Sequence, residues 1–166
     1  MKNKAIISEL NNFLKSARRV AIIGAGTELR GDDSAGIKLA EILAEEFHNS
    51  PDIAIFPAGM TPENWLGPIM KFNPTHIIIV DSADFGKTPG TIKLIQPEET
   101  DGFHFSTHGI SFGILADYLI KNSGCSIIIL GIQCKTLKMN EEMSQEVKSA
   151  LADVVEILKE CLDKLK

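Results

Sequence analysis

The chain has 166 residues, 44% hydrophobic and 23% charged, which excludes a disordered or fibrous class and leaves one domain, residues 1–166, as the expected organisation. At about 150 residues a chain buries roughly 70% of the surface its unfolded form exposes, so neither disulfides nor a structural metal are required. Twenty-two acids against 17 bases give a formal charge of −5, which argues against a nucleic acid partner.

Along the chain, Ile6, Ile7, Leu10, Phe13, Leu14 and Ala17 share one helical face, predicting an amphipathic helix over residues 5–19. Val20 to Gly24 is a short apolar run ending on glycine, read as a buried strand, followed by a polar aperiodic loop. Ile37, Ala40, Leu43, Ala44 and Phe47 restore helical spacing. Asp52 to Phe56 reads as a second strand. Thr61-Pro62-Glu63 then reads as a helix start, with Thr61 as cap and Pro62 at the first helical position. His76 to Val80 is continuous and β-branched, hence a central strand. Residues 90–96 alternate like a strand. They follow too closely for a crossover helix, so this strand is expected to run antiparallel to its predecessor. A helix through Ile110, Phe112, Ile114, Leu115, Tyr118 and Leu119, capped at Ser106 or Thr107, comes next. Ser126 to Leu130 is a further central strand, and Val147 to Leu165 a long closing helix. The pattern predicts an α/β fold: a three-layer α/β/α sandwich around a mixed, mostly parallel five-stranded sheet with one antiparallel strand.

Ligands of open α/β sheets bind outside the carboxyl ends of the parallel strands. That rim receives Gly24 to Asp33, Ala58 to Asn64, Asp81 to Asp84 and Gly131 to Thr136. The helix feeding the last parallel strand brings Ser106, Thr107 and His108 to the same end. Asp33, Asp81 and His108 are therefore expected to converge. Two carboxylates and an imidazole can ligate a borderline divalent metal with positions left open, or activate water. Each Asp taken singly could equally cap a helix or turn. Gly24-Ala-Gly26 is an incomplete dinucleotide fingerprint, and the acids Glu28, Asp32 and Asp33 would repel a phosphate. Cys134 on the rim has no obvious paired base, while Cys125 and Cys161 read as buried fillers. His48 and His76 read as structural, and His104 is expected to precede the helix. The odd cysteine count without C-x-x-C spacing fits a reducing compartment. No apolar run approaches the roughly 18 residues of a membrane span. Glu9, Lys15, Arg18 and Arg19 interrupt any signal-peptide core, so a cytoplasmic protein without membrane partners is expected.

The segment Gly24-Ala-Gly-Thr-Glu-Leu-Arg-Gly-Asp-Asp-Ser-Ala-Gly36, with Val80-Asp-Ser-Ala-Asp-Phe-Gly86, Thr107-His108 and Gly131-Ile-Gln133, resembles in order the [NiFe]-hydrogenase maturation endopeptidases. Pro62-Glu-Asn64 resembles the subgroup that processes hydrogenase 3-type large subunits. The resemblance implies an aspartyl-type endopeptidase that removes a C-terminal extension from a [NiFe]-hydrogenase large-subunit precursor after nickel insertion. It carries the nickel-contacting positions onto Asp33, Asp81 and His108, with Asp33 or Asp81 activating water. Nickel is then presented by the substrate rather than permanently bound. A monomer is expected, and the helix over residues 1–19 is an addition to shorter family members. The family's usual Gly-Asn and Gly-Ile-Gln-Pro read Gly26-Thr27 and Gly-Ile-Gln-Cys134 here. A maturation chaperone that recognises nickel without cutting is the alternative.

Overall fold

The computed structural model describes residues 3–105 and 110–165. Four parallel strands form the centre of the sheet: β1 (Val20–Ala25), β2 (Ile53–Gly59), β3 (His76–Asp84) and β6 (Ser126–Gln133). The order is β2-β1-β3-β6, extended by β4 (Ile92–Ile95), which runs antiparallel on β6. The expected direction of the 90–96 strand is found, and its hydrogen-bonded neighbour is β6. A sixth strand adds to the five expected. This is β5 (His104–Phe105), two residues antiparallel to the end of β3, with Phe105 opposite Ala83 and His104 opposite Asp84.

Strand periodicity divides the core. Val20, Ile22, Ile78, Val80, Ile128 and Leu130 face one side, where α1 (Lys4–Phe13), α2 (Ala35–Phe47) and α5 (Gln145–Asp163) cover them. Ala21, Ile23, Ile77, Ile79, Ile127 and Ile129 face the other, under α3 (Leu66–Phe72) and α4 (Phe112–Ser123). All twelve are buried, which is why the strands read as unbroken apolar runs rather than alternating ones.

Boundaries shift from expectation where tertiary partners intervene. The first helix stops at Phe13, a 3-10 turn (Leu14–Ser16) follows, and the Thr75 hydroxyl accepts the Arg18 and Arg19 amides to swing the chain into β1. Pro62–Trp65 is a 3-10 turn. Thr61 makes no side-chain cap there, and its hydroxyl accepts instead from the Asn64 side-chain Nδ2 at 3.0 Å. The helix expected to be capped at Ser106 or Thr107 begins at Phe112, with the Ser111 hydroxyl accepting from the Ile114 amide at 3.2 Å. Ser106 and Thr107 lie outside the described residues, and the chain before them pairs with β3 as β5. Among the described residues no helix is long and apolar enough to cross a membrane.

Candidate active site

The loop after β1 is built on close backbone approach. A Cβ on Gly36 would lie 2.2 Å from the Ala25 carbonyl oxygen and 2.5 Å from that of Val80, so the first turn of α2 sits directly on the ends of β1 and β3. Gly26 has φ +121°, and a Cβ there would lie 1.9 Å from the Asp33 carbonyl oxygen and 2.9 Å from Asp33 Oδ1. The Asp33 carboxylate is thus seated against the backbone at the end of β1, in space only glycine leaves. Packing accounts for these glycines, and the incomplete nucleotide fingerprint needs no phosphate to explain it.

Asp33 and Asp81 are both fully buried, Asp33 in the turn Gly31–Ser34 packed against Gly26 just past β1, and Asp81 in β3 directly after Val80, the partner of Gly24 in β1. Asp81 Oδ1 accepts the Ser82 amide at 2.8 Å, and the Ser82 hydroxyl donates to the Asp32 carbonyl, joining the two acid-bearing segments. His108 lies outside the described residues. The chain leading to it passes Phe105, held opposite Ala83, two positions beyond Asp81. Among the described residues no group of three or more His, Cys, Asp or Glu is arranged to hold a metal.

Two residues that sequence reasoning did not assign to the site organise it. The fully buried Asp32 accepts the Lys135 amide at 2.7 Å, the Thr136 amide at 3.0 Å, the Ser144 amide at 2.6 Å and the Ser144 hydroxyl at 3.0 Å. One carboxylate therefore ties the turn carrying Asp33 to the loop after β6 and to the cap of α5. The adjacent acids divide into a scaffold residue, Asp32, and a rim residue, Asp33. Gln133 is the other organiser. Its side-chain oxygen accepts the Phe85 and Lys87 amides at 3.0 and 3.1 Å, and its nitrogen donates to Asp84 Oδ1 at 3.2 Å and to the Cys134 carbonyl at 3.0 Å. These bonds shape the loop after β3. The Gly86 amide and the Gln133 side chain also hold the Asp84 carboxyl below the usual range.

The Cys134 thiol is pushed up to about 11, first by burial and then by the nearby charges of Asp84, Asp32 and Asp81. A thiol held protonated is a poor nucleophile, which argues against Cys134 as one. Cys125 and Cys161 are buried free thiols, as expected for core fillers. His76 packs edge-on against Phe13 with ring centroids 5.1 Å apart, and burial lowers its pKa. His48 is exposed at the end of α2, its Nδ1 2.7 Å from the Glu45 carbonyl oxygen. His104 precedes α4, on β5.

A family model described as HycI, hydrogenase maturation protease, matches residues 37–160, about three quarters of the chain. The chain belongs to the hydrogenase maturation protease family. The hydrogenase 3 maturation protease of Escherichia coli K12 is 32% identical over 140 residues, covering 82% of this chain and 86% of that protein. A Methanocaldococcus jannaschii protein assigned as a hydrogenase maturation protease is 36% identical over 159 residues, covering 92% of this chain and 94% of its own length. The crystal structure of the [NiFe] hydrogenase maturation protease HycI from Thermococcus kodakarensis superposes with a TM-score of 0.85 at 32% identity, over 93% of this chain and 99% of that one. This chain is accordingly a peptidase of hydrogenase maturation, and its fold is that of the HycI proteases.

Proposed function

We propose that the protease removes a C-terminal extension from a [NiFe]-hydrogenase large-subunit precursor of the hydrogenase 3 type, once nickel has been inserted. Nickel belongs to the substrate in this reading. Asp33, Asp81 and His108 are the groups that meet it. The observation that supports the assignment is the complete burial of Asp33, in the turn seated against Gly26 just past β1, and of Asp81, in the adjacent parallel strand β3, on the side where open α/β sheets bind ligands.

Two carboxylates and an imidazole leave coordination positions open, which suits an ion still held by another protein's thiolates. Such an ion identifies the loaded precursor and fixes the scissile segment over the rim. In the hydrolytic step the oxygen of a water molecule bonds to the scissile carbonyl carbon. The water's proton passes to the carboxylate of Asp33 or Asp81, and the C–N bond breaks as the leaving amine takes a proton. On this scheme the enzyme is aspartyl-type, monomeric and cytoplasmic.

The test is cleavage of the precursor, prepared with and without nickel and followed by intact mass. Loss of a C-terminal peptide from the loaded form alone is the expected result. Asp33→Asn should lower kcat/KM for that precursor by at least about a hundredfold while the variant stays folded. Cleavage of both forms would make nickel irrelevant to recognition. Binding of the loaded form without cleavage would favour a chaperone, and full activity of Asp33→Asn would remove Asp33 from the site.

A further inference from the structure

The two loops that meet at Asp32 carry an exposed apolar tip. Leu29, in the loop after β1, is 60% exposed, and Met139, in the loop after β6, is 59% exposed, the two highest values among the large hydrophobic side chains of the described residues apart from Ile114. Their loops are not slack. The Asn140 amide donates to the Leu29 carbonyl at 2.9 Å, the Gly31 amide to that of Glu141 at 3.1 Å, the Asp32 amide to that of Thr136 at 2.9 Å, and Arg30 Nε to that of Leu137 at 3.2 Å. Asn140, directly after Met139, has φ +61°, a conformation unusual for a residue other than glycine, and uses it to reach Leu29. Backbone bonds and a left-handed residue thus hold two loops together whose tips expose Leu29 and Met139, Leu29 four positions before Asp33 in the chain.

We infer that Leu29 and Met139 form a docking ledge for an apolar side chain of the precursor polypeptide, and so select the substrate beside the cutting site. The inference rests on the endopeptidase reading above. The segment after β1 that carries Leu29 also carries Asp33, in the turn Gly31–Ser34, so the ledge is continuous along the chain with the rim assigned to the reaction. The exposed neighbours are of both signs, Glu28 beside Leu29 and Lys138 and Glu141 around Met139, and they leave apolar contact as what the tip offers. Methionine adds adaptability at such a surface. The ledge acts in binding, and the chemistry stays with the buried acids.

The experiment compares wild type with Leu29→Ser/Met139→Ser, measuring both cleavage kinetics and direct binding of the nickel-loaded precursor. Covering the exposed parts of a Leu and a Met predicts a rise of about tenfold in KM and in the dissociation constant. The value of kcat should stay within about twofold, because nothing in contact with the scissile bond changes. The shift should differ little between about 0.05 and 0.5 M salt, since the contact is not ionic. Leu29→Met/Met139→Leu should restore wild-type KM, showing that apolarity rather than loop integrity matters. Unchanged KM and binding in the double Ser variant overturn the ledge. A fall in kcat alone, or a self-associating wild type that the double Ser variant renders monomeric in sedimentation, also overturns it. If wild type binds the precursor without cutting it, the peptidase reading fails, and the binding comparison still decides for or against the ledge.

Discussion

Asp32→Asn tests whether the adjacent acids do different work. Asp32 Oδ2 accepts three donors, from Lys135, Thr136 and the Ser144 hydroxyl, and Oδ1 accepts the Ser144 amide. An asparagine must turn its NH2 toward one set or the other. Facing the Ser144 amide is the lesser loss, since it removes one bond, at 2.6 Å, and sets two donors against each other. The remaining three bonds lose their charge assistance. A single buried donor left unmade costs about 1–3 kcal/mol, and charge-assisted bonds are roughly twice as strong as neutral ones, so the substitution should cost about 2–3 kcal/mol. For a domain of this size that corresponds to a fall in Tm of about 5–10 °C. Asp32→Ala, which strips every acceptor, should cost about 3–5 kcal/mol. Calorimetry measures the stability. Amide exchange at residues 135, 136 and 144 locates the damage, because those amides lose their acceptor directly. A Tm for Asp32→Asn within about 1 °C of wild type, with unchanged exchange at those three positions, would refute the scaffold role.

Gly26→Ala should destabilise the protein by about 3 kcal/mol or more and abolish precursor cleavage, since φ +121° excludes a side chain and its Cβ would collide with Asp33. A variant with near-wild-type Tm and activity would show that Asp33 does not need this seat. Cys134 should resist alkylation at pH 8, where a thiol of pKa about 11 is about one part in a thousand thiolate, and its rate should climb roughly tenfold per pH unit toward pH 11. Its folded value lies above that of an ordinary thiol, so the stabilisation it supplies is complete below about pH 9 and is lost as pH rises through about 11. Cys134→Ser should cleave normally. Alkylation at the rate of a free thiol, or loss of cleavage in the Ser variant, would return Cys134 to the chemistry.

β1, β3 and β6 were legible because burial on both faces forces continuous apolar runs rich in Ile and Val, whereas β2, at the sheet edge, mixes buried, half-buried and exposed residues. The antiparallel direction of β4 followed from chain length alone, since ten residues cannot hold a crossover helix. Less legible was the start of α4. Ser106, Thr107 and Ser111 are all competent cap residues by type, so local sequence does not single out Ser111, the cap of α4. Asp33 and Asp81 could be placed on the rim from topology, because each follows a recognisable strand. The role of Asp32 could not, because its donors lie 103 to 112 residues away in sequence. Gln133 was equally silent, since its work is to bond the backbone of a neighbouring loop.

The geometry of a 3-10 turn explains why the two acids must be adjacent and yet cannot share a task. Gly31–Ser34 forms such a turn, and at three residues per turn successive side chains diverge by about 120°. When Asp32 faces the amides of the loop after β6 and the cap of α5, Asp33 is turned toward Gly26 and the end of β1. The first acid fixes the turn in rotation about its own axis, and that rotation aims the second. Burying a carboxylate costs several kcal/mol unless donors offset it, and the four donors to Asp32 offset that cost on the scaffold side. Asp33 and Asp81 are also fully buried, Asp33 on this turn and Asp81 in β3, and under the proposed function they are groups that meet the substrate's nickel. On that reading the aim of Asp33 depends on a residue that never meets the substrate. The two roles separate experimentally. Asp32→Asn should lower Tm and move kcat/KM only as far as the aim of Asp33 is disturbed, whereas Asp33→Asn should remove the cut at a Tm that still reports a folded protein. Equal losses of stability in both variants would mean that the turn does not divide the acids in this way.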